Sequence, residues 1–180
     1  MPPPLQKFTT EFIPEEDRLR LSCELEDGQH VVLWLTQRLL RRLVPHLCAW
    51  LEKQPAPVAA PASAKAVVIE REQVHQFAQQ VAQASLHQQK QAVVQATHCT
   101  VSWVVQTVNL QGRDGRLHLT LQVPDQADYS VTFTPTSLRQ WLGIVCHHFQ
   151  QAQWPLELWP QWILQPNMAS QQAGAAPMLH

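Results

Sequence analysis

The chain has only five glycines in 180 residues, a single tyrosine, and no apolar run near the roughly 20 residues that cross a bilayer. So few glycines leave no loop able to cradle a phosphate: neither a P-loop nor GxGxxG occurs, and GxSxG and HExxH are missing as well. Neither charge is in excess, with 13 Lys and Arg against 14 Asp and Glu, so no long-range field draws the chain to polyanions or anionic membranes. The four cysteines, Cys23, Cys48, Cys99 and Cys146, are scattered without a CxxC pair and read as thiols of a reducing compartment. The opening "MPPPLQKFTTEF" lacks the apolar core of a secretion signal. The expectation is a cytoplasmic protein with no membrane partner and no cofactor.

What is present is ordinary core material, 45% hydrophobic, arranged twice. A shift of 98 residues lays Arg18–Leu51 on Arg116–Phe149 without a gap. Eight of the 34 positions are identical: Arg18/Arg116, Leu19/Leu117, Leu21/Leu119, Asp27/Asp125, Thr36/Thr134, Leu40/Leu138, Arg41/Arg139 and Cys48/Cys146. Composition alone gives about two. Leu19, Leu21, Cys23 and Leu25 alternate, as do Leu117, Leu119, Leu121 and Val123, which puts one apolar face on each strand. Turn-formers follow, Asp27-Gly28 and Pro124-Asp125. Val31, Leu33 and Leu35, like Tyr129, Val131 and Phe133, form the inward face of a second strand.

Thr36 and Thr134 then offer a side-chain oxygen to the first helical turn, with Pro135 at the favoured first helical position. Leu39, Leu40, Leu43, Val44, Leu47 and Leu51 recur at helical spacing, as do Leu138, Trp141, Leu142, Val145 and Phe149. Pro45 aligns with Gly143, two poor helix formers at one register, so both copies tolerate a bend or a close contact there.

Residues 7–13 and 99–110 each read as one further strand before the hairpin. The expected fold is therefore α+β: two similar β-β-β-α halves, related by internal duplication, plus a middle helix, with antiparallel sheets covered by helices on one face. The halves are 1–53 and 98–165, the second carrying a Trp-rich strap. Between them, 54–97 holds a Pro/Ala linker and a Gln-rich helix, from Glu70 to near residue 92, with an apolar stripe of Val74, Phe77, Val81 and Ala84. Residues 166–180 read as a disordered tail. Halves this small share one core, as an internal pseudo-dimer.

Three groups of residues carry candidate chemistry. On the strand face away from the helix stand Arg18, Arg20 and Trp34 in the first half and Arg116 and His118 in the second, a mixture of cations and an aromatic that single-strand nucleic-acid binders use. Duplicated sheet-plus-helix units occur among such binders, in Pur-type and Whirly-type proteins, and the resemblance is one of topology. Arg38, Arg41 and Arg42 form a basic cluster on the first helix, a solvated face or a dock for an acidic partner. Trp154, Trp159 and Trp162 lie in a segment that Pro155 and Pro160 should keep extended, either as a strap closing the core or, if exposed, as an interface hot spot. His98-Cys99 and Cys146-His147-His148 are the places where soft metal ligands gather, but the paired spacing of a zinc site is missing and adjacent helical residues diverge by about 100°. No metal and no catalytic residue is assigned. The expected function is a non-catalytic binding or scaffold protein, self-associating or bound to another protein through helix or Trp-rich surfaces. A single-stranded nucleic-acid binder is the alternative, and an enzyme with an unidentified site the third.

Overall fold

A computed structural model describes residues 2–55, 66–88, 92–99 and 101–165. Most of the Pro/Ala linker and the tail from 166 lie outside the described residues. Strands β1 (Leu5–Ile13), β2 (Arg18–Leu25) and β3 (His30–Thr36) lead into α1 (Gln37–Glu52). Helix α2 (Ala66–Gln88) and a 3-10 turn (Ala96–His98) precede β4 (Val101–Val104), β5 (Thr107–Arg113), β6 (Arg116–Gln122), β7 (Tyr129–Phe133) and α3 (Pro135–Gln151). One sheet runs β1-β2-β3-β4 and the other β5-β6-β7, antiparallel throughout except that β4 joins β3 in parallel.

The strand expected over 99–110 is in fact two. Its first part pairs with β3 and its second with β6, so one extended stretch serves both sheets. The change of partner falls at Val105 and Gln106, whose backbone N–H groups donate to Trp34 O at 3.0 Å and Gln122 O at 2.9 Å. A second link joins the opposite edges. The chain at Pro4 bridges Ser130 in parallel, and Ser130 N donates to Pro3 O at 3.0 Å.

The two hairpins have the same register. Leu19↔Leu35, Leu21↔Leu33 and Cys23↔Val31 in the first are Leu117↔Phe133, Leu119↔Val131 and Leu121↔Tyr129 in the second, each pair displaced by 98. The edge links also correspond, since Pro4↔Ser130 is the 98-residue counterpart of Ser102↔Val32. The strands before the hairpins differ in their turns. Asp114-Gly115, with φ of 52° and 69°, makes the tight primed turn that matches strand twist, where the first half uses the longer 14–17 loop.

Thr36 accepts from Leu39 N at 3.2 Å. Thr134 forms a full capping box, accepting from Ser137 N at 3.1 Å while its own N–H donates to Ser137 Oγ at 2.9 Å. Each helix touches the third strand of its own half and the first of the other: α1 meets β3 and β5, and α3 meets β7 and β1. Inward side chains of both halves therefore form a single buried cluster. At its centre Leu21, Leu35, Leu43, Leu119, Phe133 and Trp141 surround an apolar cavity of about 10 Å3, at the lower limit of what one water needs and without polar groups to hold it.

Two further expectations are corrected. The middle helix begins before Glu70 and is described as far as Gln88, residues 89–91 lying outside the described residues. The Trp segment is not extended throughout: Pro160 opens a helical stretch at 161–165, its carbonyl accepting from Ile163 N at 3.0 Å, because a proline at a helix start loses no hydrogen bond. Trp154, Trp159 and Trp162 are buried, and the rings of Trp154 and Trp159 both meet Phe149 edge-on, at 4.9 and 5.3 Å between centroids.

Candidate interaction surface

Helix α2 lies against α3, and amide side chains make hydrogen bonds across the contact. Gln79 Nε2 and Gln83 Nε2 both donate to Arg139 O, at 2.9 and 3.2 Å. In return, Gln140 Nε2 donates to Ala82 O at 3.1 Å and Ser85 Oγ at 2.9 Å. The side chain of Gln83 fills the space that a Cβ on Gly143 would need, which explains the glycine in the middle of α3. The close contact expected at this register is real in the second half. In the first half, Pro45 is exposed and α1 continues through it.

At the end of this contact sits Arg139, only 7% exposed. Its NH2 donates to His75 Nδ1 at 2.8 Å, its NH1 to His75 O at 3.4 Å, and its guanidinium stacks over Trp162 at 4.9 Å. Because a guanidinium cannot accept, His75 Nδ1 must be the bare nitrogen of a neutral imidazole. Burial pulls Arg139 down to about 10, and burial followed by the charge of Arg139 lowers His75. Trp162 donates its indole N–H to Glu52 at 3.2 Å, which ties the C-terminal end of α1 to the same layer.

Since α2 docks by its polar face, its apolar stripe turns outward. Phe77 is 59% and Val81 51% exposed, Ala84 is exposed and Val74 half-buried. Their 3-4-3 spacing is that of a helix-pairing seam, and the residues flanking it, Gln73, Ala78, Gln80 and Ser85, are uncharged. Among the described residues, two of the five large apolar side chains left most open to solvent belong to this single stripe.

The residues singled out from the sequence for nucleic acid fall on two different sheets. On the first, Arg20 donates to Glu11 at 2.9 Å, Arg18 lies 3.9 Å from Glu16, and Trp34 donates to Ser102 at 2.7 Å. On the second, His118 hydrogen-bonds Thr132 at 2.8 Å and Arg116 stands opposite Arg113. The outward face of the first sheet is also partly covered. Residues 92–99 cross it, with Val94 N donating to Thr9 at 2.9 Å and His98 meeting His30 at 5.9 Å between rings, so that Ser22 and Val32 are buried on what an isolated hairpin would leave open. Arg38, Arg41 and Arg42 are exposed on α1, Arg41 lying 3.7 Å from Glu157.

The two groups of soft ligands lie apart. His98 and Cys99 sit over the first sheet, whereas His148 is held by Thr10 O at 3.1 Å and Gln151 at 2.7 Å. No three His, Cys, Asp or Glu among the described residues converge on an ion position. Burial raises the thiols of Cys23 and Cys99 and pushes Cys48 up to about 12, so these three remain protonated and poor nucleophiles at neutral pH. No helix among the described residues is long and apolar enough to cross a membrane. Comparison with family models, curated proteins and solved structures finds no match for this chain.

Proposed function

We propose that the chain is a non-catalytic cytoplasmic binding or scaffold protein that self-associates, the outward stripe of α2 pairing with the same stripe of a second copy. One observation carries this reading: α2 docks on its own body through His75, Gln79 and Gln83 and leaves Phe77 and Val81 in water. An exposed apolar seam on a helix already anchored on its other side is costly unless something covers it. A second copy fits because the flanking positions from Gln73 to Ser85 carry no charge to repel an identical helix. Four side chains fall short of the ~800 Å2 per partner of a stable interface, so the association is concentration-dependent.

The body that presents α2 is, in this reading, a duplicated β-β-β-α unit in which β1 and β5 pair within their own halves, while the segment ahead of each, Pro4 in one and 101–104 in the other, reaches the last strand of the other half. The common register of the hairpins, the matching edge links and the eight identities support it. Sedimentation velocity over a concentration series tests the self-association. The mass should rise from 20.5 kDa towards twice that value, and Phe77→Ser with Val81→Ser should return it to the monomer without loss of stability. A strict monomer at millimolar concentration, or a dimer indifferent to both substitutions, overturns the proposal.

A further inference from the structure

The layer between α2 and α3 joins two groups that cannot both be cations, and we infer that His75 is a proton-sensitive latch that releases α2 from α3 on mild acidification. The geometry requires a neutral His75, because the nitrogen that would take the proton is the one receiving Arg139 NH2 at 2.8 Å. A protonated ring would set two positive charges at hydrogen-bond distance between buried side chains, where water screens them least. His75 is buried and packs on Trp162 at 5.5 Å, and its own carbonyl accepts from Arg139 NH1.

The other charges facing the site do not cancel this. Arg71, about one turn earlier on α2, adds to the repulsion. Glu52, from α1, opposes it, but its carboxylate is already engaged by the Trp162 indole and is exposed to solvent. Cys48, also from α1, holds its proton and contributes no charge at neutral pH. The ordinary range of His75 is lowered first by burial and then by Arg139, in agreement with the contact.

Proton uptake is therefore confined to the undocked state. Docking is at full strength above the ordinary histidine pKa of about 6.5 and weakens by up to about tenfold per pH unit below it. Among the described residues, the shared core of the two sheets with α1 and α3 includes no side chain of α2, and Trp162, a member of that core, meets His75 at its edge. The inference concerns the inner face of α2 and holds for the monomer, whether or not the outer stripe pairs.

Hydrogen exchange followed by mass spectrometry tests it on the full chain at sub-micromolar concentration, corrected for the intrinsic pH dependence of exchange. Protection of residues 71–88 should fall about tenfold between pH 7.5 and 5.5, while β2, β3, β6 and β7 keep theirs. His75→Asn, which retains a side-chain acceptor and takes up no proton, should give an α2 response flat with pH. Unchanged α2 protection at pH 5.5 overturns the latch, as does equal loss from the sheets or an undiminished pH response in His75→Asn. Should the variant fail to dock at any pH, the titration of His75 in the wild type by NMR decides: a midpoint at or above the ordinary histidine value overturns the inference.

Discussion

Helices α1 and α3 occupy the same register and bury equivalent stripes, yet their outer faces have opposite surroundings. On α3, Arg139 and Gly143 lie under α2, and both are buried. On α1 the corresponding Arg41 and Pro45 face solvent. An arginine at the same register of two helices is thus a stacked, dehydrated cation in one and an ordinary surface charge in the other. Two helix-breaking residues likewise have different reasons to be there: Gly143 gives up a side chain to admit Gln83, whereas nothing in the structure explains Pro45. Equivalent inner faces follow from a shared apolar pattern, while the outer faces are decided by whichever neighbour happens to lie over them.

Three substitution pairs sharpen this contrast. Pro45→Ala restores a helical hydrogen bond at an exposed position and should stabilise the fold by about 1–3 kcal/mol, read as a rise in Tm. Gly143→Ala should be close to neutral, because the helix-propensity gain of about 1 kcal/mol is offset by eviction of Gln83 from its bonds to Arg139 and Gln140. A large gain from Gly143→Ala would mean that α2 does not press on α3.

Arg139→Ala should cost about 1–3 kcal/mol in urea unfolding, since it strands the His75 acceptor and removes the cation stacked on Trp162. Arg41→Ala should stay within about 0.5 kcal/mol. Equal effects at the two positions would erase the difference between the two helices.

The smallest difference expected is at the caps. Thr134→Ala breaks a reciprocal box with Ser137 and should cost about 1 kcal/mol, and Thr36→Ala, a single bond to Leu39, somewhat less.

Much of the architecture could be read from the residues because it rests on local rules. Period-two alternation gave both hairpins, threonine caps marked both helix starts, and Gly28, at a φ of 81°, sits in the turn that Asp27-Gly28 signals. The division of 99–110 into two strands was not legible, since β-branched residues favour extended backbone without naming a partner strand. The orientation of α2 was missed for a related reason. An apolar stripe at 74, 77, 81 and 84 marks an amphipathic helix, but a second stripe of His75, Gln79 and Gln83 can bind a backbone equally well when the facing helix offers a glycine. Gly143 was the available signal, and it pointed to a close contact without saying with what. Residues 92–99 have no periodicity at all, and nothing in them announces that they cover a sheet.

By itself, then, the sequence determined which residues of the two hairpins turn inward and where α1 and α3 begin and are capped, because those choices depend on neighbours a few positions away. Tertiary structure alone decided that Arg139 is buried while Arg41 is not, that α2 shows its apolar side to water, and that one extended segment joins two sheets. Each of these depends on a contact between residues far apart in the chain, where hydrogen bonding and dehydration, rather than local propensity, set the outcome.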